Sequence, residues 1–475
     1  MATISSPGIG SGLDIKSIVS QLVALEKAPL QQLDIKSATI QTRISAFGQI
    51  KSLVSPLSDA ASTLNSLTTW NAVATSSSNT KAVSATAIGG TAATTFSVEV
   101  QALAKPQDTA SASVLPVGSA VGAGTLRLTA GVWTPPAGIT PASFAPGTAT
   151  PVDITVTATD KLTDIASKIN GSGAGVTATV LTDASGERLL LRSKSTGEVG
   201  GFQLSVPTDA DGNPNDAAGL SRTVVGTTFT QYGADAEATI NGIPVTSSTN
   251  TFANVVSGVS LTVGEVTSSA VTVGVTKDMS AITGAIDAFV KAYNTLNESL
   301  NELTKYDPSN KSAGILQGDS TAVGLQTALR GVLQSGTVGS AFSRLADIGV
   351  TQQLGGNLAV NSTKLNAALD TQLEDVKSLF RADNGNPLTN GVTQKFKAFT
   401  AGLLATDGFF TSKDASLKRS LDATAKDKVR VNEKVARVEA ALNRRYSALD
   451  AQVASLSALN AYVSQQVTTW NKSKS

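Results

Sequence analysis

Val435–Trp470 reads VARVEAALNRRYSALDAQVASLSALNAYVSQQVTTW, and its spacing decides the fold. Val435, Leu442, Leu449, Leu456, Val463 and Trp470 recur every seven residues, with Val438, Tyr446, Val453 and Val467 between them. Apolar residues at alternating steps of three and four line up as one seam on a helix. So long a helix cannot bury that seam on itself. It needs a second helix, from this chain or from a neighbour.

The same period stands at the other end of the chain. Leu33, Ile40, Phe47, Val54 and Ala61 recur every seven residues, with Ile44, Ile50, Leu57 and Leu64 interleaved. That seam is imperfect at Lys36 and interrupted by Pro56. Ahead of it, Gly8–Leu30 reads GIGSGLDIKSIVSQLVALEKAPL. Ser11 with Asp14 resembles a capping box, Ile15, Ile18, Val19, Leu22 and Leu25 form an apolar stripe, and Pro29 is expected to end the helix. A third seam, Ile282, Ile286, Phe289, Tyr293, Leu296, Leu300 and Leu303, is closed by Asp307-Pro308. It rises roughly 35–40 Å at the α-helical 1.5 Å per residue.

From about Ser76 to Val275 the composition shifts to Thr, Ser, Gly and Val with a period of two. Phe96, Val98 and Val100 alternate with Ser97, Glu99 and Gln101, and DASGE offers a turn between VTATVL and RLLLRS. A short helix interrupts, with Leu162, Ile165, Ala166 and Ile169 on one face and Asn170-Gly171 as its stop. WTPPAGITPASFAPG and PTDADGNPND read as surface loops.

The layout is helix, β insertion, helix. The fold class expected is a multidomain α and β protein, with a discontinuous α-helical coiled-coil stem formed by the N- and C-terminal parts and inserted β-rich head domains. Residues 1–42 with 436–475 are expected to form a terminal helical leg that is mobile before assembly, and 43–77 with 276–435 the stem domain. Residues 78–109 with 232–275 would form one head domain, and 110–231 a second, variable one inserted in the first.

Composition narrows the chemistry. The 475 residues carry a net charge of +1, so no global field points to nucleic acid or an anionic membrane. Lys/Arg outnumber Asp/Glu 12 to 6 from Ser412 onward, and the ratio is 9 to 14 from Ser76 to Val275. The basic excess is spread along a helical pattern and reads as a solvated face. There is no cysteine and no histidine, which removes disulfides, thiol nucleophiles, imidazole bases and Cys/His zinc sites. No window of about 18 apolar, uncharged residues reads as membrane-spanning. The charges at Asp14, Lys16, Glu26 and Lys27 argue against a cleaved secretory signal.

The weaker motifs fall to plainer readings. GIGSG at Gly8–Gly12 and GSGAG at Gly171–Gly175 lack the strand–loop–helix context of a phosphate cradle and read as a leader and a helix stop. Asp209, Asp211, Asn213 and Asn215 have the spacing of a calcium loop, but Pro214 and Leu220 stand where Gly and Glu are required. Glu374-Asp375 is a carboxylate pair with nothing to set it across a cleft. No catalytic, cofactor-binding or metal-ligating residue is expected, and the protein is not expected to be an enzyme.

Three stretches together resemble the flagellar filament cap family (hook-associated protein 2). They are GIGSGLDIKSIVSQLVALEKAPL with the strands VSATA and TFSVEVQALA, then ILQGDSTAVGLQTALR followed by LADIGVTQQLGGNLAVNSTKLNAALDTQLEDVKSLF, and the tail RRYSALDAQVASLSALNAYVSQQV. TINGIPV with NTFANVVSGVSLTV adds a piece found among flagellar axial proteins. The resemblance is weak only across about residues 110–230. Asn361 stands where members often have Asp, and Leu449-Asp450 where an aromatic often follows the Tyr446 position.

The resemblance implies a ring, five or six copies, at the tip of the growing filament. That ring retains exported flagellin and guides its insertion. It implies export without cleavage to the flagellum outside the cell, with flagellin, hook-associated proteins and a cytoplasmic export chaperone at the C-terminal helix as partners. It implies no cofactor, no nucleic acid and no membrane insertion. The assembly interface is expected at Ile15, Ile18, Leu22, Leu25, Phe47, Val54, Leu442, Leu449, Leu456, Val463, Val467 and Trp470. A hook–filament junction protein of the same apparatus and an adhesin whose head binds glycans are the alternatives.

Overall fold

The computed structural model describes residues 14–472. Within them run nine α-helices: α1 Ile15–Asn65, α2 Leu67–Trp70, α3 Leu162–Gly171, α4 Met279–Thr304, α5 Ser320–Gln334, α6 Ser362–Thr371, α7 Leu373–Arg381, α8 Val392–Leu404 and α9 Phe409–Lys472. Two compact units emerge. Among the described residues, one is built from 14–70 and 280–472, the other from 71–279.

The helical unit is organised by α1 and α9, of 51 and 64 residues. Asp14 caps α1, its carboxylate accepting a hydrogen bond from the Ser17 N–H at 3.0 Å. This short acceptor satisfies one of the four donors a helix start leaves open. Ser11 and GIGSG lie outside the described residues. Pro29 does not end the helix, and Pro56 does not break it. Each proline removes one donor and clashes with the carbonyl four residues back, at a cost of about 3 kcal/mol. Both sit on the exposed face, and buried packing on either side holds the helix through them, by Val23 and Ile40 around Pro29 and by Val54 and Leu57 around Pro56.

The two long helices run antiparallel. Phe47 of α1 lies 6.4 Å from Phe409 of α9, Asp34 pairs with Lys428 at 2.7 Å, and Glu26 with Lys434 at 2.8 Å. At the far end Ile15, Val19 and Val23 form a small core with Val435, flanked by half-buried Leu442 and Tyr446.

Around this pair the shorter helices close the core. The seam on α4 is buried from Ile282 through Leu300, and Phe289 meets Phe396 of α8 edge to face at 5.0 Å. The carbonyls left open where α1 ends find donors: Trp70 Nε1 reaches Leu64 O at 2.6 Å, and Arg381 Nε reaches Asn65 O at 2.7 Å. Asn361 caps α6 by accepting from the Lys364 N–H at 3.0 Å. An Asp there would do the same, so that departure from the family pattern is chemically silent.

The β-rich unit holds two cores. In the first, a five-stranded antiparallel sheet runs Val73–Ser77, Val271–Lys277, Thr94–Ala102, Ala236–Ile240, Ile243–Ser247. Phe96, Val98 and Val100 point inward against Val271, Val273 and Val275, as their period-two alternation requires. In the second, α3 packs Leu162, Ile165, Ala166 and Ile169 with Leu126, Ile154, Val176 and Leu189 of the neighbouring strands. The DASGE turn closes Val176–Asp183 onto Gly186–Thr196, with Asp183 opposite Gly186. The stretch WTPPAGITPASFAPG is not all loop: Trp133 and Thr134 pair with Phe144 and Ser143 as a β-arm. Pro135, Pro136 and Pro141 stand outside the ladder, while Pro146 sits in it opposite Gly131, at the end of an edge strand where a missing donor is tolerated.

Candidate assembly surface

The expected interface residues divide by burial. Phe47 and Val54 lie inside the helical unit, and Ile15 packs against this chain's own α9. A buried side chain has no area left for an outside partner, so these three belong to the chain's own core. Ile18 is half-buried, while Leu22 and Leu25 are exposed, Leu25 at 71%. Val23, which the stripe reading passed over, is the third buried rung after Ile15 and Val19. The i, i+4, i+8 set Ile15, Val19, Val23 faces α9, and it turns Leu22 and Leu25 outward.

On α9 the transition is sharper. Leu417 and Val435 are buried, Leu442 and Tyr446 half-buried, and from Leu449 on the seam stands in solvent except at half-buried Val453. Leu456 is 65% exposed, and Leu459, Tyr462, Val463, Val467 and Trp470 are exposed beside it. The antiparallel pairing explains this. Ile15 is level with Val435–Tyr446, so the rest of α9 extends past the first described residue of α1. That length, Ser447–Lys472, rises roughly 40 Å at 1.5 Å per residue. A heptad seam of that length is a surface for another helix.

The chemistry elsewhere is sparse. Among the described residues no group of three or more acidic side chains could hold a metal ion, and no helix is long and apolar enough to cross a membrane. The loop with calcium-like spacing turns several of its oxygens onto its own backbone: Asp211 accepts from the Asn213 N–H, Asn213 from the Asn215 N–H, and Asp209 Oδ2 from the Ser221 N–H, while Asp209 Oδ1 is buried without a hydrogen bond among the described residues. GSGAG follows α3 and leads into the strand at Val176, as a helix stop does.

One constellation escaped the sequence. Asn294, Asn297 and Asn301 stand one turn apart on α4, beside its apolar seam. The amides of Asn297 and Asn301 reach Gly355 O at 3.0 and 2.8 Å, and Asn294 exchanges two hydrogen bonds with the Leu358 backbone. Arg330 of α5 donates to the same Gly355 O at 3.0 Å. Gly355 and Gly356 both have φ above +90°, and a Cβ on Gly356 would lie 2.7 Å from Arg330 Nε. The Gly-Gly pair is therefore needed twice, for its backbone and for the guanidinium against it. The signal was present as a polar stripe at spacings of three and four pointing to the GGN turn.

Comparison with known proteins agrees with this architecture. Residues 11–107 match the family model described as flagellar hook-associated protein 2 N-terminus, and residues 233–458 the model of its C-terminus. Residues 144–195 match the flagellin hook IN motif, within the part that looked variable by sequence. The chain is similar to flagellar hook-associated protein 2 of Escherichia coli K12, 28% identical with 100% of both chains covered. It is similar to the B-type flagellar hook-associated protein 2 of Pseudomonas aeruginosa PAO1, 29% identical over 95% of this chain and 94% of that one. Among solved structures it resembles the D1-D2-D3 domains of the flagellar cap protein FliD from Escherichia coli. The TM-score is 0.62 at 27% identity, covering 78% of this chain and 99% of that chain. With both terminal models matched and relatives aligned end to end, the chain belongs to the flagellar hook-associated protein 2 family.

Proposed function

We propose that this chain is the cap of a bacterial flagellar filament, a structural and non-enzymatic protein that holds exported flagellin at the tip and promotes its ordered addition. The observation that carries the proposal is the seam from Leu449 to Trp470, where Leu449, Leu456, Val463, Val467 and Trp470 stay exposed in a single copy. Exposed apolar area of this kind marks an interaction site, and the family supplies its setting. Copies of the chain assemble as a ring of five or six. Leu22, Leu25, Leu449, Leu456, Val463, Val467 and Trp470 supply the contacts between copies or to filament subunits. The chain leaves the cell uncleaved, and the same C-terminal helix is where an export chaperone shields it beforehand.

The domain division proposed is a terminal leg of 1–42 with 436–475, a helical domain of 43–77 with 276–435, and β-rich domains of 78–109 with 232–275 and of 110–231. Two separate cores in the β-rich unit support the last two.

Electron microscopy and sedimentation of the purified chain test the ring. Rings should form, and Leu456→Lys with Val463→Lys should dissolve them while leaving the circular dichroism spectrum unchanged. A chain that stays monomeric at every concentration would remove the ring from the account.

A further inference from the structure

The β-rich unit contains a cavity of about 250 Å³ where Pro106–Ala110, Gly124–Thr134, Gly186–Thr196 and Phe202–Asp209 converge. The cavity is partly open to solvent, so a small molecule can enter it from the surface. An apolar cavity of about 150 Å³ stays dry and takes up benzene. This one is larger.

Its wall mixes apolar and aromatic surfaces, chiefly Leu191, Phe202, Val224, Trp133 and Phe229, with six uncharged polar side chains, and among the described residues no charged side chain lines it. The aromatic side is held in place. Trp133 meets Phe229 edge to face at 4.8 Å and Phe144 at 5.0 Å, and Phe229 stacks on Tyr232 at 4.6 Å.

Most polar atoms of the wall are already spent on the protein. Gln107, 1% exposed, donates to Phe202 O at 2.9 Å and accepts from Phe202 N at 2.8 Å. Trp133 Nε1 donates to the same carbonyl at 2.8 Å. The Ser111 hydroxyl donates to Ala112 O and accepts from Leu189 N, both at 2.9 Å, and the Thr223 hydroxyl donates to Leu220 O at 2.8 Å. The Thr109 hydroxyl and the Gln203 amide line the wall without a side-chain hydrogen bond among the described residues.

An ion would lose its hydration here and gain no countercharge, and a strongly polar ligand would find too few partners. We propose that this cavity is a binding site for a small, neutral ring compound, mostly apolar, with one or two hydrogen-bonding atoms directed to Thr109 and Gln203. A preformed, mostly apolar pocket with a few polar groups is the common form of a small-molecule site. The site is independent of the assembly surface and makes no use of the terminal helices.

Fluorine NMR on the full-length chain tests this with two probes, fluorobenzene and 4-fluorophenol. Both should broaden saturably. Val224→Phe and Leu191→Phe, which fill the cavity from different sides, should each weaken binding at least tenfold. Thr109→Val should weaken 4-fluorophenol several-fold and leave fluorobenzene unchanged, a split that general loosening of the fold would not produce. Absence of saturable binding of either probe to the unmodified chain, up to its solubility, overturns the proposal. Binding that survives both filling substitutions unchanged overturns it as well.

Discussion

At the residue scale, a single lysine joins three elements of the helical unit. Lys413 Nζ donates to both carboxylate oxygens of Asp319, at 2.9 and 3.1 Å, and to the Thr321 hydroxyl at 3.0 Å. It also lies 4.9 Å from the centre of the Phe47 ring. Asp319 is in addition the N-cap of α5. Burial pushes the Asp319 carboxyl up, but the Lys413 hydrogen bond and charge, with the Ala322 N–H, outweigh it and hold the pKa below its ordinary value. A carboxyl lowered by folding stabilises the fold above its ordinary pKa and loses that contribution as pH falls through the lowered one. Acid unfolding should therefore become less steep below about pH 4 in Asp319→Asn, as read by circular dichroism. Lys413→Met leaves a buried carboxylate without its partner and should cost about 3 kcal/mol in urea unfolding. Tyr293 shows the opposite sign. Burial raises its hydroxyl to about 12, so stability declines as pH climbs past 10 toward that value. Tyr293→Phe should remove the last step of the phenolate absorbance titration.

At the scale of elements, period was the legible signal, and local rules were the unreliable one. The seams on α4 and on the 40–64 part of α1 are buried where the heptads place them, apart from half-buried Ile44 and Leu303, because a partner helix sits along each. Pro29 misled because a proline's local penalty of about 3 kcal/mol is small beside the packing of a long helix. Ile15, Ile18 and Leu22 looked equivalent in sequence. Only the rotation of α1 against α9 decides that Ile15 is inside and Leu22 outside. The asparagine stripe on α4 was visible but ambiguous: polar residues on a helix read as a solvated face until a turn is folded onto them. Substitutions should separate the two kinds of seam. Leu57→Ala, fully buried, should lose about 2–5 kcal/mol of stability. Leu456→Ala should change the stability of the single chain by less than about 0.5 kcal/mol and act on assembly instead.

For the whole molecule, sequence order and spatial order diverge. The helical unit is made of the two ends of the chain, and the β-rich unit is inserted between them with cores of its own. The 71–279 piece should therefore fold alone, giving a cooperative thermal transition and a β-type spectrum. The exposed length of α9 belongs to neither core, and the account assigns it to assembly. The direct test is complementation of a strain lacking this chain with a version that ends at Val435. The account predicts a stably folded protein, flagellin monomer shed into the medium and no filaments. Filaments of normal length from that strain would contradict it.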